Sequence, residues 1–227
     1  MKMIKKALKN TISKIPLRIA DKILRNSLNK EIFNDISSID GFPNREKLWN
    51  SVLQQYEIEN KKILYIEFGV YQGESLRYFA ENNKNKDSLF LGLDTFEGVE
   101  ETWVDFDMKV FDQGGKVPNI DDARITFIKG YFQNNRDALL GSIKKDGDFD
   151  AIIVHYDADL YSSTLFGLAT LDTVLDSYIA IFDEFYGGEN LAFYNYLNSH
   201  MAKYELIGKT DTSPTQVATM INTLSSQ

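Results

Sequence analysis

An apolar run that ends in an acid, crosses a turn with two glycines and enters a helical pattern sets most of what this chain can become. The run spans residues 63–66, the acid is Glu67, the glycines are Gly69 and Gly73, and Leu76, Phe79 and Ala80 carry the helical spacing. Locally this is strand, turn and helix. Glycines in such a turn let the backbone approach a ligand without a Cβ in the way, and the helix that follows offers N–H groups at its start. A nucleotide-like cofactor at the carboxyl edge of a parallel sheet suits that geometry. The three-glycine dinucleotide fingerprint and the Gly-Lys-Ser/Thr phosphate loop are both missing, which disfavours a pyrophosphate ligand. Acid-x-Gly-x-x-x-Gly fits S-adenosylmethionine better, because that cofactor has a cationic methionine end and no phosphate. Glu67 can face the positive end directly or through water; a purely structural turn is the competing explanation.

Further along, residues 88–94 form a second apolar run closed by Asp94, placed to accept hydrogen bonds from the hydroxyls of a ribose. A third, residues 125–128, leads into Lys129, Gly130, Tyr131 and Phe132, where a glycine and aromatic rings can flank a flat base. The fourth, residues 149–156, runs into Asp157-Ala158-Asp159, and a helix with Leu165, Leu168 and Leu171 follows. A fifth, residues 178–182, ends at Asp183-Glu184, and the tail from residue 204 to 221 reads as a closing β-hairpin. Residues 31–60 read as a cover helix broken near Gly41 and Pro43. The expected architecture is therefore α/β, in a chain of 227 residues that suffices for one such core.

The net charge of −8 hides an asymmetry. Residues 1–30 hold nine Lys/Arg against Asp21 alone, and the remainder holds 16 bases against 32 acids. An acidic body argues against nucleic acid as a partner. The basic arm, residues 1–30, carries an apolar stripe at helical spacing (Ile4, Leu8, Ile12, Ile15, Ile19, Ile23). Such a segment can make peripheral contact with an anionic membrane, or pack on the body or on another subunit of a homo-oligomer. Residues 31–227 then form a single domain. The arm lacks the apolar core of a secretory leader, and the chain has no cysteine, as expected of a cytoplasmic protein. Residues 97–122, with eight acids and two tandem glycines but no clean period, read as a lid over the site.

Carboxyl ends of parallel strands share one edge, so Asp157, Asp159, Asp183 and Glu184 should converge from two strands that can be neighbours. Like charges that close need a cation among them. Oxygen donors without cysteine favour a hard ion, Mg²⁺ or another divalent cation. Solvated turn acids and helix caps are the bland alternative. His155, inside an apolar strand, reads as a satisfied core histidine.

Five stretches in order carry a resemblance. They are Glu-Phe-Gly-Val-Tyr-Gln-Gly-Glu-Ser (67–75), Leu-Asp-Thr-Phe-Glu-Gly (93–98), Lys-Gly-Tyr-Phe (129–132), His-Tyr-Asp-Ala-Asp-Leu-Tyr-Ser-Ser-Thr (155–164) and Phe-Asp-Glu-Phe-Tyr (182–186). Together they resemble the macrocin O-methyltransferase family, class I S-adenosylmethionine-dependent enzymes that methylate sugar hydroxyls. The resemblance covers residues 60–222 and leaves the basic arm outside. It implies a Rossmann-like sheet of seven strands with the last one antiparallel, and Mg²⁺ held by Asp157, Asp183 and Glu184 with Asp159 as general base. It also implies that Glu67, Gly69, Gly73 and Ser75 line the methionine end of the cofactor, that Asp94 holds the ribose, and that Phe96 and Phe132 lie near the adenine. The family has two consecutive Asp residues where this chain has Asp183-Glu184. A non-catalytic cofactor-binding scaffold and an NAD-type oxidoreductase are the rivals, and the acceptor would be a sugar-containing molecule or glycan.

Overall fold

Strand β5 (Ala151–Tyr156) sits near the middle of an eight-stranded sheet because its residues are apolar on both faces, the mark of a strand covered by helices on each side. In this computed structural model residues 30–98, 111–145, 147–185, 188–213 and 215–226 are described. The basic arm through residue 29 and residues 99–110 of the expected lid lie outside them. The chain divides into two compact units, Met1–Ser38 and Ile39–Gln227. Within the first, helix α1 (Lys30–Ser37) places Ile32 and Ile36 one turn apart on one face.

The second unit opens with β1 (Gly41–Phe42) and α2 (Arg45–Gln55), whose cap Asn44 accepts a hydrogen bond from Lys47 N at 3.0 Å. Then come β2 (Ile63–Phe68), α3 (Glu74–Glu81), β3 (Leu89–Asp94), β4 (Ile125–Lys129) and α4 (Arg136–Lys145). After β5 follow α5 (Tyr161–Leu171), β6 (Ser177–Phe182), α6 (Gly188–His200), β7 (Lys203–Thr210) and β8 (Val217–Asn222). The strand order is β1-β7-β8-β6-β5-β2-β3-β4. Only β8 runs against its neighbours, pairing antiparallel with both β6 and β7. Seven strands with the last one reversed were expected; the eighth, β1, is a two-residue addition parallel to β7 at the edge. No described helix is long and apolar enough to cross a membrane.

Register decides what meets at the carboxyl edge. Phe68 pairs with Tyr156, and Tyr156 with Phe182, so three neighbouring parallel strands end level with one another. Their rings stack in a ladder, Phe68 on Tyr156 at 5.6 Å and Tyr156 on Phe182 at 5.0 Å. Each of these rings is fully buried, which stabilises by about 2–3 kcal/mol apiece. Gly167 lets α5 lie against the ladder, since a Cβ there would stand 3.0 Å from Tyr156 and 3.1 Å from Phe68. On the opposite face Leu48, Trp49, Val52 and Leu53 of α2 pack with Leu76 and Phe79 of α3 over Tyr65, Ile153 and Ile181. The next residue after each level strand end projects at the rim, and those residues are Gly69, Asp157 and Asp183.

Candidate cofactor and cation site

A cavity of about 430 Å³ opens at this rim. Gly69, Val70 and Tyr71 of the glycine turn, Asp94, and Phe132 line one side. Asp157, Asp159, Asp183 and Glu184 line the other. The four acids after β5 and β6 are thus brought to one opening by strand ends that pair directly.

Asp94 holds the glycine turn in shape. Its Oδ2 accepts from Val70 N at 2.7 Å and Tyr71 N at 2.8 Å, and its Oδ1 accepts from Phe96 N at 2.7 Å. Gly69, at φ +91, lies so close to the β5 end that a Cβ would fall 1.8 Å from the Asp157 carbonyl oxygen. Its absent side chain therefore lets the turn and the first metal-binding candidate share one patch of backbone.

The other expected cofactor residues stand behind the wall. Glu67 is fully buried, accepting from Tyr65 Oη at 2.6 Å and from Ser75 Oγ at 2.7 Å. Burial outweighs those hydrogen bonds and pushes the Glu67 carboxyl up to about 8. Ser75 is buried with it. Gly73 caps α3 at φ 73, and Gly130 turns the chain at φ 122 after β4. Phe96 is fully buried with its ring 6.1 Å from Phe127, in the core rather than on the cavity wall. Phe132 alone of the two expected adenine neighbours reaches the cavity, braced edge-on against Phe68 at 5.2 Å. Of the expected lid, Glu97 bridges Asp112 in antiparallel fashion and Phe111 lines the cavity, 5.6 Å from Tyr71.

The acidic side is electrostatically unfavourable on its own. Burial and the neighbouring Asp183 and Asp159 push the Asp157 carboxyl well above the usual range. Burial, then Glu184 and Asp183, pushes Asp159 up to about 7, and its backbone sits at φ 56, a conformation non-glycine residues seldom adopt. Asp183 and Glu184 are raised mainly by burial. A fifth acid, Glu189, is fully buried and accepts from Glu184 N at 3.1 Å. Arg45 also lines the cavity, but its guanidinium already pairs with Glu74 at 2.6 Å. Two carboxylates within 5 Å repel by roughly 3–4 kcal/mol at an effective dielectric constant of about 20, more than one shared arginine offsets.

The residues fit a divalent cation. One ligand atom each from His155, Asp157 and Asp183 lie within 4.8 Å of one another. His155 is fully buried, and Nδ1 lies 3.1 Å from Tyr65 Oη while Nε2 has no hydrogen-bond partner. Burial, then the charge of Arg45, pushes the imidazole down to about 3, so the ring is neutral. The expectation of a satisfied core histidine holds for one ring nitrogen only. Gln216 completes the surround, donating to Asp183 Oδ1 while accepting from Trp49 Nε1 at 2.9 Å. Arg45 and Gln216 carried no sequence signal, since neither lies beside a glycine turn or an acidic strand end, and Glu189, beside Gly188 at the start of α6, stands five residues beyond the Asp183-Glu184 pair.

No protein-family model matches the chain, and no curated protein does. Among solved structures, it is similar to the apo form of a TDP-rhamnose 3'-O-methyltransferase of calicheamicin biosynthesis, with 21% identity, a TM-score of 0.50 and coverage of 97% of this chain and 91% of that one. It is also similar to an O-methyltransferase of tomaymycin synthesis from Streptomyces achromogenes in complex with SAM, with 11% identity, a TM-score of 0.50 and coverage of 89% and 88%. What is shared at these identities is the fold, the Rossmann-like α/β fold of class I methyltransferases.

Proposed function

We propose that this chain is an S-adenosylmethionine-dependent O-methyltransferase that acts, with a divalent cation such as Mg²⁺, on a hydroxyl of a sugar-containing acceptor, as the macrocin O-methyltransferase resemblance implies. The observation that carries it is the two-sided cavity, glycine turn and Asp94 facing Asp157, Asp159, Asp183 and Glu184. When bound, the cofactor supplies an electrophilic methyl on a sulfonium, and the cation lowers the pKa of an acceptor hydroxyl. Asp94 accepts from the ribose hydroxyls with the lone pairs its backbone contacts leave free. Phe132 offers a flat face to the adenine, and the cationic methionine end favours the ionised form of buried Glu67, which then sets a negative potential beneath it. Gly69 and Gly73 shape the turn between them, Ser75 holds Glu67, and Gly130 frees the backbone that carries Phe132. Asp157, Asp183 and Glu184 are the ligand set for the cation. Asp159, raised into the neutral range, takes the proton from the acceptor hydroxyl.

Methyl transfer from labelled cofactor to a panel of nucleotide-linked and glycosidic sugars tests this. Asp159→Asn should lower turnover by about 10²–10⁴-fold while S-adenosylhomocysteine affinity stays within about threefold. Turnover by Asp159→Asn equal to wild type removes the assigned base, and wild-type turnover insensitive to EDTA removes the cation.

A further inference from the structure

We infer that His155 is itself a metal ligand, its Nε2 joining one carboxylate oxygen each of Asp157 and Asp183 in a mixed nitrogen and oxygen site that takes Mn²⁺ or another first-row divalent cation in preference to Mg²⁺. The inference rests on the cation half of the function proposed above and changes both its ligand set and its metal.

Three observations lead there. First, in the metal-bound state, where the nearby positive charge keeps Glu67 ionised, the Tyr65 hydroxyl has one proton and donates it to Glu67 Oε2 at 2.6 Å. Its oxygen can then only accept at 3.1 Å from His155, which puts the ring hydrogen on Nδ1 and leaves Nε2 a bare lone pair. Second, that lone pair is buried without a partner and lies 3.9 Å from Asp183 Oδ1, itself a lone-pair atom and beyond hydrogen-bond reach. Two acceptors facing each other across such a gap are explained by a positive centre between them. Ligand atoms each about 2.1 Å from one ion stand roughly 3 Å apart when adjacent and roughly 4.2 Å when opposite, which brackets the observed separation. Third, the ring is held from behind, by Tyr65 on Nδ1 and by the Trp49 ring edge at a centroid distance of 5.8 Å. A metal-bound histidine ordinarily has its second nitrogen tied in this way. Mg²⁺ prefers oxygen donors and tolerates imidazole poorly, whereas first-row transition metals bind it well, so one nitrogen in the set shifts the preference.

The chain has two histidines, so a nitrogen signal has few sources. Metal-free full-length protein is loaded with Mn²⁺ and its electron spin echo envelope modulation recorded, with S-adenosylhomocysteine binding measured on the same samples. The expected spectrum shows ¹⁴N modulation from a directly bound imidazole that changes to the ¹⁵N pattern when histidine is ¹⁵N-labelled, which needs no variant to fold. His155→Gln should abolish it and weaken Mn²⁺ binding by about tenfold or more while moving Mg²⁺ affinity less than about twofold; His200→Gln should do neither. Stoichiometric Mn²⁺ without nitrogen modulation overturns the assignment, as does modulation lost in His200→Gln instead. No Mn²⁺ binding by protein that still binds S-adenosylhomocysteine overturns it too, and leaves the cofactor half of the proposed function standing.

Discussion

Gly69 is the least replaceable residue of the site. With φ at +91 and the Asp157 carbonyl oxygen 1.8 Å from where a Cβ would sit, Gly69→Ala combines backbone strain with a backbone clash that no rotamer relieves. It should cost roughly 2–4 kcal/mol and lower the melting temperature by about 5–15 °C; a thermal scan within 2 degrees or so of wild type would contradict the close approach. Glu67 behaves differently. An unfolded Glu ionises near 4.5, and burial raises the folded group to about 8. Between those values the folded state holds a proton that the unfolded state has released, so this contribution to stability is full below the lower value and is lost as pH rises through the higher one. Glu67→Gln should therefore flatten the fall in melting temperature between about pH 5 and 8 in metal-free, cofactor-free protein, and an unchanged slope would show that burial does not govern this carboxyl. His155 marks the limit of reading a residue from sequence: its apolar neighbours announce burial, but which ring nitrogen finds a partner depends on Tyr65, ninety positions earlier.

At the scale of elements, strands were the most legible part of the chain. The apolar runs at 88–94, 125–128, 149–156 and 178–182 became β3 to β6 with ends displaced by two residues at most, because strands inside the sheet leave nearly unbroken apolar sequence; β4, at the edge, is the least buried of them. The terminal hairpin followed from its turn residues. β1 was invisible, since two residues hold no period, and Gly41 and Phe42 owe their strand to pairing with Lys209 and Thr210. The rim acids were legible because each follows a strand. Gln216 was not, as its place beside Asp183 comes from the antiparallel pairing of β8 with β6, which puts Val217 opposite Phe182. Gln216→Ala should weaken divalent-cation binding by about 10–100-fold by freeing the Asp183 carboxylate to rotate, read by Mn²⁺ titration. Unaltered affinity would mean that the hairpin only closes the sheet and does not position the site.

Across the whole molecule, the acidic balance and the sheet serve one opening. Seven co-directional strands deliver their carboxyl ends to a single rim, and the reversed β8, between β6 and β7, starts at that rim with Val217 opposite Phe182. A chain with net charge −8 and Asp94, Asp157, Asp159, Asp183 and Glu184 at that rim is suited to a cationic cofactor end and a metal ion, and poorly suited to pyrophosphate. Isothermal calorimetry of the full-length protein with S-adenosylhomocysteine and, separately, with NAD is the most direct measurement of that claim. Saturable one-to-one binding of S-adenosylhomocysteine with no heat from NAD is the predicted result; saturable NAD binding, or folded protein that binds neither, would contradict it.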